Sequence, residues 1–466
     1  MPPARAVARP AATAAPLRAA LAGMAAAVGI AASATVGSAA PHEDPAPLAT
    51  PSSDSAALPP LAAPPAGVGA TPAGVAAALA PFLADPSLGP GVGAVVLDPA
   101  TGQVLLDQAG GVPRTPASTT KILTGATVLG TLGPDRRITT KVVQEPNGTV
   151  VLVGAGDPML HDAVAPGTGT ASLEQLAAMA APALRGKAQA TPVVVAVDDT
   201  AFTGPTTVAG WGPDDLVDCT VQPIMALSVH LPKPAECAPD PDPAITAGTA
   251  FAARLAALGL PVQPTVTRAK ATAAATELAA AESPPVSDLI GQALAQSDNT
   301  SAEMLGHLAG AAAGGEASFA GGAAAAAKQL AAMQIPAPGL VLQDASGLSS
   351  GDRIPPAATA KLLSQTAVGR SPADLQLWPV AAGLPTAGFT GTLADRFAQP
   401  EAVAGRGEVR AKTGTLVGVS ALGGLVVTAD GQQLAFIFDS DTATDILASR
   451  QAFDAAAAAL ATCGCR

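Results

Sequence analysis

A serine and a lysine stand three positions apart in the sequence, at Ser118 and Lys121. If this segment is helical, both side chains lie on one face, about 5–6 Å apart at their Cβ atoms, and the amine can reach the hydroxyl. Ser118 would then be a nucleophile near a helix start, where the helix dipole favours a developing negative charge. Lys121 would be its base, which requires a neutral amine whose pKa is lowered by burial and by another cation nearby. Alone the pair is weak, because a serine at a helix start beside a surface lysine is an ordinary pattern.

A second polar group follows at Ser297-Asp298-Asn299. If the chain is locally extended here, Ser297 and Asn299 point to one side and Asp298 points away, because side chains alternate along an extended segment. Ser297 could pass a proton to a leaving amine, while Asn299 could hold a substrate amide and orient Lys121. The alternative is a plain helix cap, since serine, aspartate and asparagine are good capping residues.

The third group, Lys412-Thr413-Gly414-Thr415, precedes a long apolar run that predicts a strand. Lys412 would supply positive charge and lower the pKa of the lysine base. Thr413 and Thr415 offer hydroxyls to a substrate carboxylate, and Gly414 lets a substrate backbone approach closely. Backbone N–H groups of Ser118 and Thr415 could form an oxyanion hole. The three groups, in this order, indicate a serine acyl-transferase with a lysine base.

The elements that would position these groups are predicted from the apolar patterns. Periodic apolar residues after a proline predict a helix from Ser118 through Leu129. Two short apolar runs separated by turn residues predict a β-hairpin over 91–106, and helical patterning covers 286–333. The end of the chain predicts three antiparallel strands and a closing helix, over 409–413, 420–427, 434–438 and 444–460.

The composition limits the classes of function. At 466 residues the chain is long enough for two domains. Its net charge of −12 and its lack of tyrosine argue against a nucleic-acid partner, because phosphate would be repelled and stacking aromatics are scarce. No histidine stands near a cysteine pair at a zinc-like spacing, so the sequence predicts no metal site and no cofactor.

Residues 1–40 predict an export signal, because three arginines precede the uncharged stretch 19–40, which ends in small residues. The alternative is an uncleaved membrane anchor, since this stretch is long enough to cross a bilayer, although so weakly apolar a segment anchors poorly. Residues 41–70, rich in proline, alanine and serine, predict a disordered linker.

The four cysteines agree with export. Cys219 and Cys237 enclose a short proline-rich loop and could form a disulfide that restricts the unfolded chain. Only Gly464 separates Cys463 from Cys465, so a bond between those two would be strained.

Taken together, these residues resemble the D-alanyl-D-alanine carboxypeptidases and endopeptidases of the penicillin-binding protein 4 type, over residues 75–460. The three signatures carry the resemblance, and four further segments agree with it. They are the stretch 153–158, in which alanine replaces one family glycine, the turn 344–349, the segment 391–397 and the strand 411–419.

The resemblance implies an α+β, multi-domain protein with the penicilloyl-serine transferase (β-lactamase/transpeptidase-like) fold. In this fold a five-stranded antiparallel sheet carries helices on both sides, and a helical subdomain frames the cleft. A small β-rich domain is inserted between the first two signatures. The predicted organisation is the signal at 1–40, the linker at 41–70, the transpeptidase-like domain at 71–136 and 281–466, and the accessory domain at 137–280.

The function that the resemblance implies is an exported serine D-Ala-D-Ala carboxypeptidase, which can also be a D,D-endopeptidase. Its partners would be peptidoglycan stem peptides ending in D-Ala-D-Ala and the β-lactams that mimic them, with membrane contact only through an uncleaved N-terminal segment. It would lie in the cell envelope or be secreted. Ser118, Lys121 and Ser297 would be catalytic, and Asn299, Lys412, Thr413, Gly414 and Thr415 would bind substrate.

Two alternatives remain at this point. A β-lactamase would share the signatures, but the long insertion between the first two of them argues against it. An inactive binding or scaffold protein would keep the cleft without turnover, but every chemical group needed for turnover is present.

Overall fold

The structure is a computed structural model that describes residues 69–165, 167–185, 191–230, 238–368 and 372–466. The predicted export signal at 1–40 and nearly all of the linker at 41–70 lie outside the described residues. Within the part of the chain that is described, no helix combines the length and the apolar character needed to cross a membrane.

The described chain alternates helices and strands, with a mixed α and β content. The helices are α1 Pro72–Leu83, α2 Thr120–Leu132, α3 Leu173–Arg185, α4 Pro243–Ala257, α5 Val286–Gln296, α6 Asn299–Ala312, α7 Phe319–Ala332, α8 Pro356–Ala367, α9 Pro372–Ala382 and α10 Ile446–Thr462. The strands are β1 Val92–Leu97, β2 Val104–Gln108, β3 Thr139–Gln144, β4 Val150–Val153, β5 Val195–Asp198, β6 Thr267–Arg268, β7 Thr276–Glu282, β8 Val409–Leu416, β9 Val419–Val427 and β10 Gln433–Ser440.

The first sheet has five strands in the order β2-β1-β10-β9-β8, and every neighbouring pair is antiparallel. The predicted hairpin and the predicted C-terminal meander are therefore confirmed. The carboxylate of Asp98 fixes the hairpin turn, because it accepts hydrogen bonds from the Ala100 N–H at 2.8 Å and from the Thr101 hydroxyl at 2.7 Å. Strand β8 forms one edge of this sheet.

Helices cover both faces of the first sheet, as the resemblance implied. Side chains of β10 alternate between two cores, as strand geometry requires. Ile437 packs into the core that contains α2 and α8, whereas Phe436 and Phe438 pack into the core that contains α1 and α10. The apolar character of β9 and β10 therefore follows from burial on both sides.

Helix α2 is the central helix of the helical region. All residues from Thr120 to Leu129 are buried, and α5, α6, α7, α8 and α9 contact this helix. The residue that follows α2, Gly133, has φ 82° and ends the helix in a conformation that glycine adopts at little cost. The position of α2 therefore fixes whatever its first turn carries.

The second sheet is formed by the segment between α2 and α5, in the order β6-β5-β4-β3-β7. It is mixed, since β3 pairs antiparallel with β4 and β7, while β5 pairs parallel with β4 and β6. Helices α3 and α4 pack on it, and the sequence analysis did not predict either helix. Both are rich in alanine, which occurs throughout this chain and gives little apolar contrast between helix faces. The limits at 137 and 280 stay a prediction.

A disulfide joins Cys463 and Cys465, the pair for which a strained bond was expected. The carbonyl of Cys465 accepts hydrogen bonds from the Thr71 N–H at 2.6 Å and the Thr71 hydroxyl at 3.0 Å. This contact ties the end of the chain to the residue that caps α1. Cys237 lies outside the described residues, so its predicted pairing with Cys219 stays a prediction.

Candidate active site

Ser118 lies in a 3-10 turn, Ala117–Thr119, immediately before α2. Two glycines let other segments approach this turn closely. A Cβ on Gly347 would meet the Ala117 carbonyl oxygen at 1.9 Å, and a Cβ on Gly414 would meet the Pro116 carbonyl oxygen at 2.8 Å. The close approach at Gly414 was expected to serve a substrate, but here it admits the turn that carries Ser118. The turn is therefore held between a loop and strand β8.

The amine of Lys121 reaches three acceptors. It lies 3.1 Å from the Ser118 hydroxyl, 2.6 Å from Oδ1 of Asn299 and 2.8 Å from the carbonyl oxygen of Ser346. The Lys121 side chain is only 2% exposed, whereas Ser118 is half-buried. The spacing of three along the chain thus brings the two side chains into hydrogen-bond contact, with the amine aimed from the protein interior.

Burial lowers the pKa of Lys121 to about 8, while the negative charges of Asp344, Glu303 and Asp298 act in the opposite direction. The sequence analysis expected burial and the charge of Lys412 to lower this pKa, and burial is the largest cause. The pKa of Lys412 is itself lowered well below its usual range, by burial and then by the charge of Lys121. A lysine whose pKa lies near neutral pH is suited to accept a proton.

We expect the rate of acylation by a β-lactam to rise with pH through about 8, because only the unprotonated Lys121 amine can accept the Ser118 proton. The measurement is the second-order acylation rate from about pH 6 to about pH 10, with folding checked by circular dichroism at each pH. A flat profile would show that no group of this pKa controls the step.

The second signature does not have the extended conformation that the sequence analysis assumed. Ser297 ends α5 with φ 58° and ψ 35°, in the left-handed region, and Asp298 caps α6, where its carboxylate accepts the Ser301 N–H at 3.1 Å. The signature is thus a helix cap and also part of the site. Asn299, the first residue of α6, donates its amide N–H to the Thr220 carbonyl at 2.9 Å. Its oxygen accepts from Lys121, so both polar atoms of the Asn299 side chain have a partner within the protein.

Strand β8 presents part of its free edge to the site. The segment after α9 covers the beginning of that edge, since Ala411 donates its N–H to the Pro385 carbonyl at 2.9 Å. Backbone N–H groups alternate between the two edges of a strand. The N–H groups of Thr413 and Thr415 therefore point to the same free edge as that of Ala411, on the side away from β9.

A cavity of about 260 Å³ lies beside Ser118. Lys412 is not part of its lining, because its side chain is fully buried and its amine donates to the Thr413 carbonyl at 2.8 Å. The hydroxyl of Thr413 lies 3.1 Å from that of Thr392. The lining residues are Ser118, Ser297, Thr392, Arg396, Thr413, Thr415 and Arg450.

Two arginines of the cavity were missed by the sequence analysis. Arg396 is paired with the carboxylate of Asp454, at 2.7 and 2.8 Å. Arg450, on α10, donates through Nη2 to the Thr415 hydroxyl at 3.0 Å, and no carboxylate of a described residue lies within salt-bridge distance of its guanidinium. The segment 391–397 was noted only for its resemblance, and a single arginine in the closing helix carries no motif that could have indicated its role.

The carbonyl of Ser346 is another contribution that the sequence did not indicate. It belongs to the turn 344–349, which was noted for its resemblance but not as part of the site. A backbone carbonyl leaves no signal in the residue type. Among the described residues, no group of three or more histidine, cysteine, aspartate or glutamate side chains is arranged to hold a metal ion.

Comparison with known proteins matches residues 75–240 and 231–463 to the D-Ala-D-Ala carboxypeptidase 3 (S13) family. The chain is 38% identical to a carboxypeptidase of Mycobacterium tuberculosis over 90% of each chain. It is 29% identical to a D-alanyl-D-alanine carboxypeptidase of an Actinomadura species, over 76% of this chain and 78% of the relative. The crystal structure of penicillin-binding protein 4 from Haemophilus influenzae superposes with a TM-score of 0.64 at 21% identity, over 81% of this chain and 97% of that one. A second structure of that protein, in complex with a β-lactam, has a TM-score of 0.57 at 20% identity.

Proposed function

The chain belongs to the D-Ala-D-Ala carboxypeptidase 3 (S13) family, and from that premise we propose how its own residues carry out the serine carboxypeptidase reaction. The observation that carries the proposal is the 3.1 Å contact between the buried Lys121 amine and the Ser118 hydroxyl beside the cavity. Family membership does not favour the β-lactamase or scaffold alternatives.

In the acylation step, the neutral Lys121 amine accepts the proton of Ser118 while the serine oxygen attacks the carbonyl of the penultimate D-alanine. The tetrahedral oxyanion is stabilised by the N–H groups of Ser118 and Thr415. The free-edge direction of the Thr415 N–H supports this role. As the C–N bond breaks, the proton passes from Lys121 to the leaving amine, and Ser297, which lines the same cavity, relays it. Terminal D-alanine leaves, and the acyl group remains on Ser118.

In the second step, water adds to the acyl-enzyme and Lys121 accepts a proton from it. The bond between the serine oxygen and the carbonyl carbon breaks, the proton returns to Ser118, and the shortened peptide leaves as a carboxylic acid, which releases its own proton to solvent and becomes a carboxylate. No metal or cofactor is needed for either step, because the nucleophile, the base and the proton relay are all side chains of this chain.

The cavity beyond Ser118 binds the C-terminal carboxylate of the substrate. Thr413 and Thr415 offer hydroxyls, and Arg450 supplies a positive charge. Arg450 forms no salt bridge with any described residue. A charged hydrogen bond to a carboxylate is stronger than a neutral one. This favours the carboxypeptidase activity over the endopeptidase activity, since only the former always presents a terminal carboxylate at this point.

We expect a peptide ending in D-Ala-D-Ala to be cleaved about 10- to 150-fold more efficiently than its C-terminal amide, as one lost charge-assisted contact predicts. Arg450→Gln or Thr413→Val should narrow this difference, because each variant has already lost part of the contact. The measurement is kcat/KM for both substrates on wild type and on each variant.

Arg410→Gln is the matched control. Arg410 is an exposed arginine on β8, the strand that carries Thr413, and it does not line the cavity. It should keep the full preference for the acid. If the loss from changing the residue and the loss from changing the substrate are strictly additive, that residue does not read the carboxylate. Equal cleavage of acid and amide by wild type would point to the endopeptidase activity instead.

We further propose peptidoglycan stem peptides as substrates, β-lactams as covalent inhibitors, and the cell envelope as the location. The family activity supports the substrate, and the β-lactam complex of a protein with this fold supports the inhibitor. The location follows from the substrate, because the wall peptides that end in D-Ala-D-Ala lie outside the cytoplasmic membrane.

A further inference from the structure

Glu303 is a fully buried acid on α6, one helical turn after Asn299. Both of its carboxyl oxygens accept backbone hydrogen bonds from the turn 344–349. Oε2 accepts the Ala345 N–H at 2.9 Å, and Oε1 accepts the Ser346 N–H at 2.7 Å. A buried carboxyl is costly unless its oxygens are satisfied, so this pair of contacts strongly specifies the position of the turn.

The same turn delivers a carbonyl to the lysine base. The carbonyl of Ser346 accepts a hydrogen bond from Lys121 at 2.8 Å. Asp344 closes the turn by accepting the Gly347 N–H at 2.7 Å and the Ser349 N–H at 2.6 Å. Helix α6 thus positions Lys121 in two ways. Asn299 contacts the amine directly, and Glu303 holds the turn whose Ser346 carbonyl contacts the amine.

We propose that Glu303 is a positioning residue for the acylation step: its carboxyl holds the turn 344–349 so that the Ser346 carbonyl fixes the Lys121 amine beside Ser118. This inference rests on the proposed role of Lys121 as the base. It adds a residue that does not touch substrate and that acts through a backbone carbonyl.

The charges around Glu303 give this role a measurable signature. Lys121 is faced by the acids Glu303, Asp344 and Asp298, each of which raises its pKa, and by Lys412. Burial, and then the neighbouring Asp344, raise the pKa of Glu303 to about 8, so Glu303 gains its negative charge over the same pH range in which Lys121 loses its proton. Replacing Glu303 by a neutral residue therefore removes a negative charge beside the base at about pH 8 and above, which lowers the pKa of Lys121. A residue that merely stabilised the fold would not move that pKa.

The experiment compares Glu303→Gln with wild type in β-lactam acylation across the pH range. The glutamine amide turns one acceptor into a donor that faces a backbone N–H, so one of the two contacts is lost. We expect the acylation rate at its optimum to fall about 10- to 100-fold. The acid limb, the part of the pH profile in which the rate rises as the base loses its proton, should move to lower pH. Thermal unfolding is measured on the same samples.

Asp352→Asn is the matched control. Asp352 is also fully buried and accepts a backbone hydrogen bond from the Gln343 N–H at 2.7 Å. Burial and the neighbouring Asp344 raise its pKa to about 9, and Asp352 is not among the acids that raise the pKa of Lys121, so its replacement by asparagine leaves the charge beside the base unchanged. This variant should acylate within about threefold of wild type and keep the acid limb. The proposal is overturned if Glu303→Gln acylates like wild type, or if both variants lose activity equally with an unmoved limb.

If Glu303→Gln does not fold, Glu303→Asp takes its place. Aspartate keeps the acid but withdraws it by one methylene from the Ala345 and Ser346 N–H groups, so acylation should fall while the limb stays near that of wild type. Wild-type rates from Glu303→Asp would overturn the proposal. Acylation of wild type at Ser118 is checked separately by mass mapping, so failure of the serine–lysine mechanism is distinguished from failure of the role of Glu303.

Discussion

Ser118→Ala is expected to abolish release of D-alanine from peptides ending in D-Ala-D-Ala, with a loss of about four orders of magnitude or more. The reason is that no other described hydroxyl lies at hydrogen-bond distance from the Lys121 amine. The fold should survive, since Ser118 is half-buried and, among the described residues, its side chain forms a hydrogen bond only with Lys121. The measurement is D-alanine release, with circular dichroism to check folding.

Ser287→Ala is a suitable control, because Ser287 is also a half-buried serine in the first turn of a helix, α5, away from the cavity. It should leave turnover unchanged. Turnover by Ser118→Ala within a factor of about 10 of wild type would exclude Ser118 as the nucleophile.

Lys121→Arg should lower the rate of acylation by about two to four orders of magnitude, because the guanidinium stays protonated and cannot accept a proton. It keeps a cation beside Asn299 and the Ser346 carbonyl, so the turn and α6 retain a charged partner. The measurement is the acylation rate with a fluorescent penicillin, together with the unfolding temperature.

Lys328→Arg, at an exposed position of α7, controls for the exchange of lysine for arginine. It should acylate at the wild-type rate. A folded Lys121→Arg protein that also acylates near the wild-type rate would show that the lysine is not the proton acceptor.

Much of the architecture around the site was predicted from the sequence. The hairpin and the C-terminal strands are confirmed, because long apolar strands such as β9 and β10 and the turn at Asp98 leave clear local patterns. The five-stranded antiparallel sheet with helices on both sides, which the family resemblance implied, is confirmed as well. The spacing of Ser118 and Lys121 correctly predicted their contact, since neighbours three apart on a helix lie on one face.

Other features depend on the fold in ways that local patterns do not encode. The lowered pKa of Lys121 was expected from burial together with a second cation, and burial is the largest cause, but the burial itself is decided by helices distant in sequence. The left-handed conformation of Ser297 was missed because the short segment between α5 and α6 gives no alternation to interpret.

Arg450 and Glu303 illustrate a second limit. Each reaches the site from a helix whose apolar pattern predicts only packing, α10 in one case and α6 in the other. Arg450 acts 35 positions from the threonine that it contacts, and Glu303 acts through backbone N–H groups 42 and 43 positions away. Contacts of this kind follow from tertiary packing and can be assigned only once the helices are placed.

Mass mapping of the penicillin adduct on the wild-type protein tests the central claim most directly. After brief incubation with penicillin and proteolysis, the mass increase of one opened β-lactam should be found on the peptide that contains Ser118, and fragmentation should place it on that serine. An adduct on Ser297 or on any other residue, or a protein that binds penicillin without a covalent adduct, would contradict the assignment of Ser118 as the nucleophile.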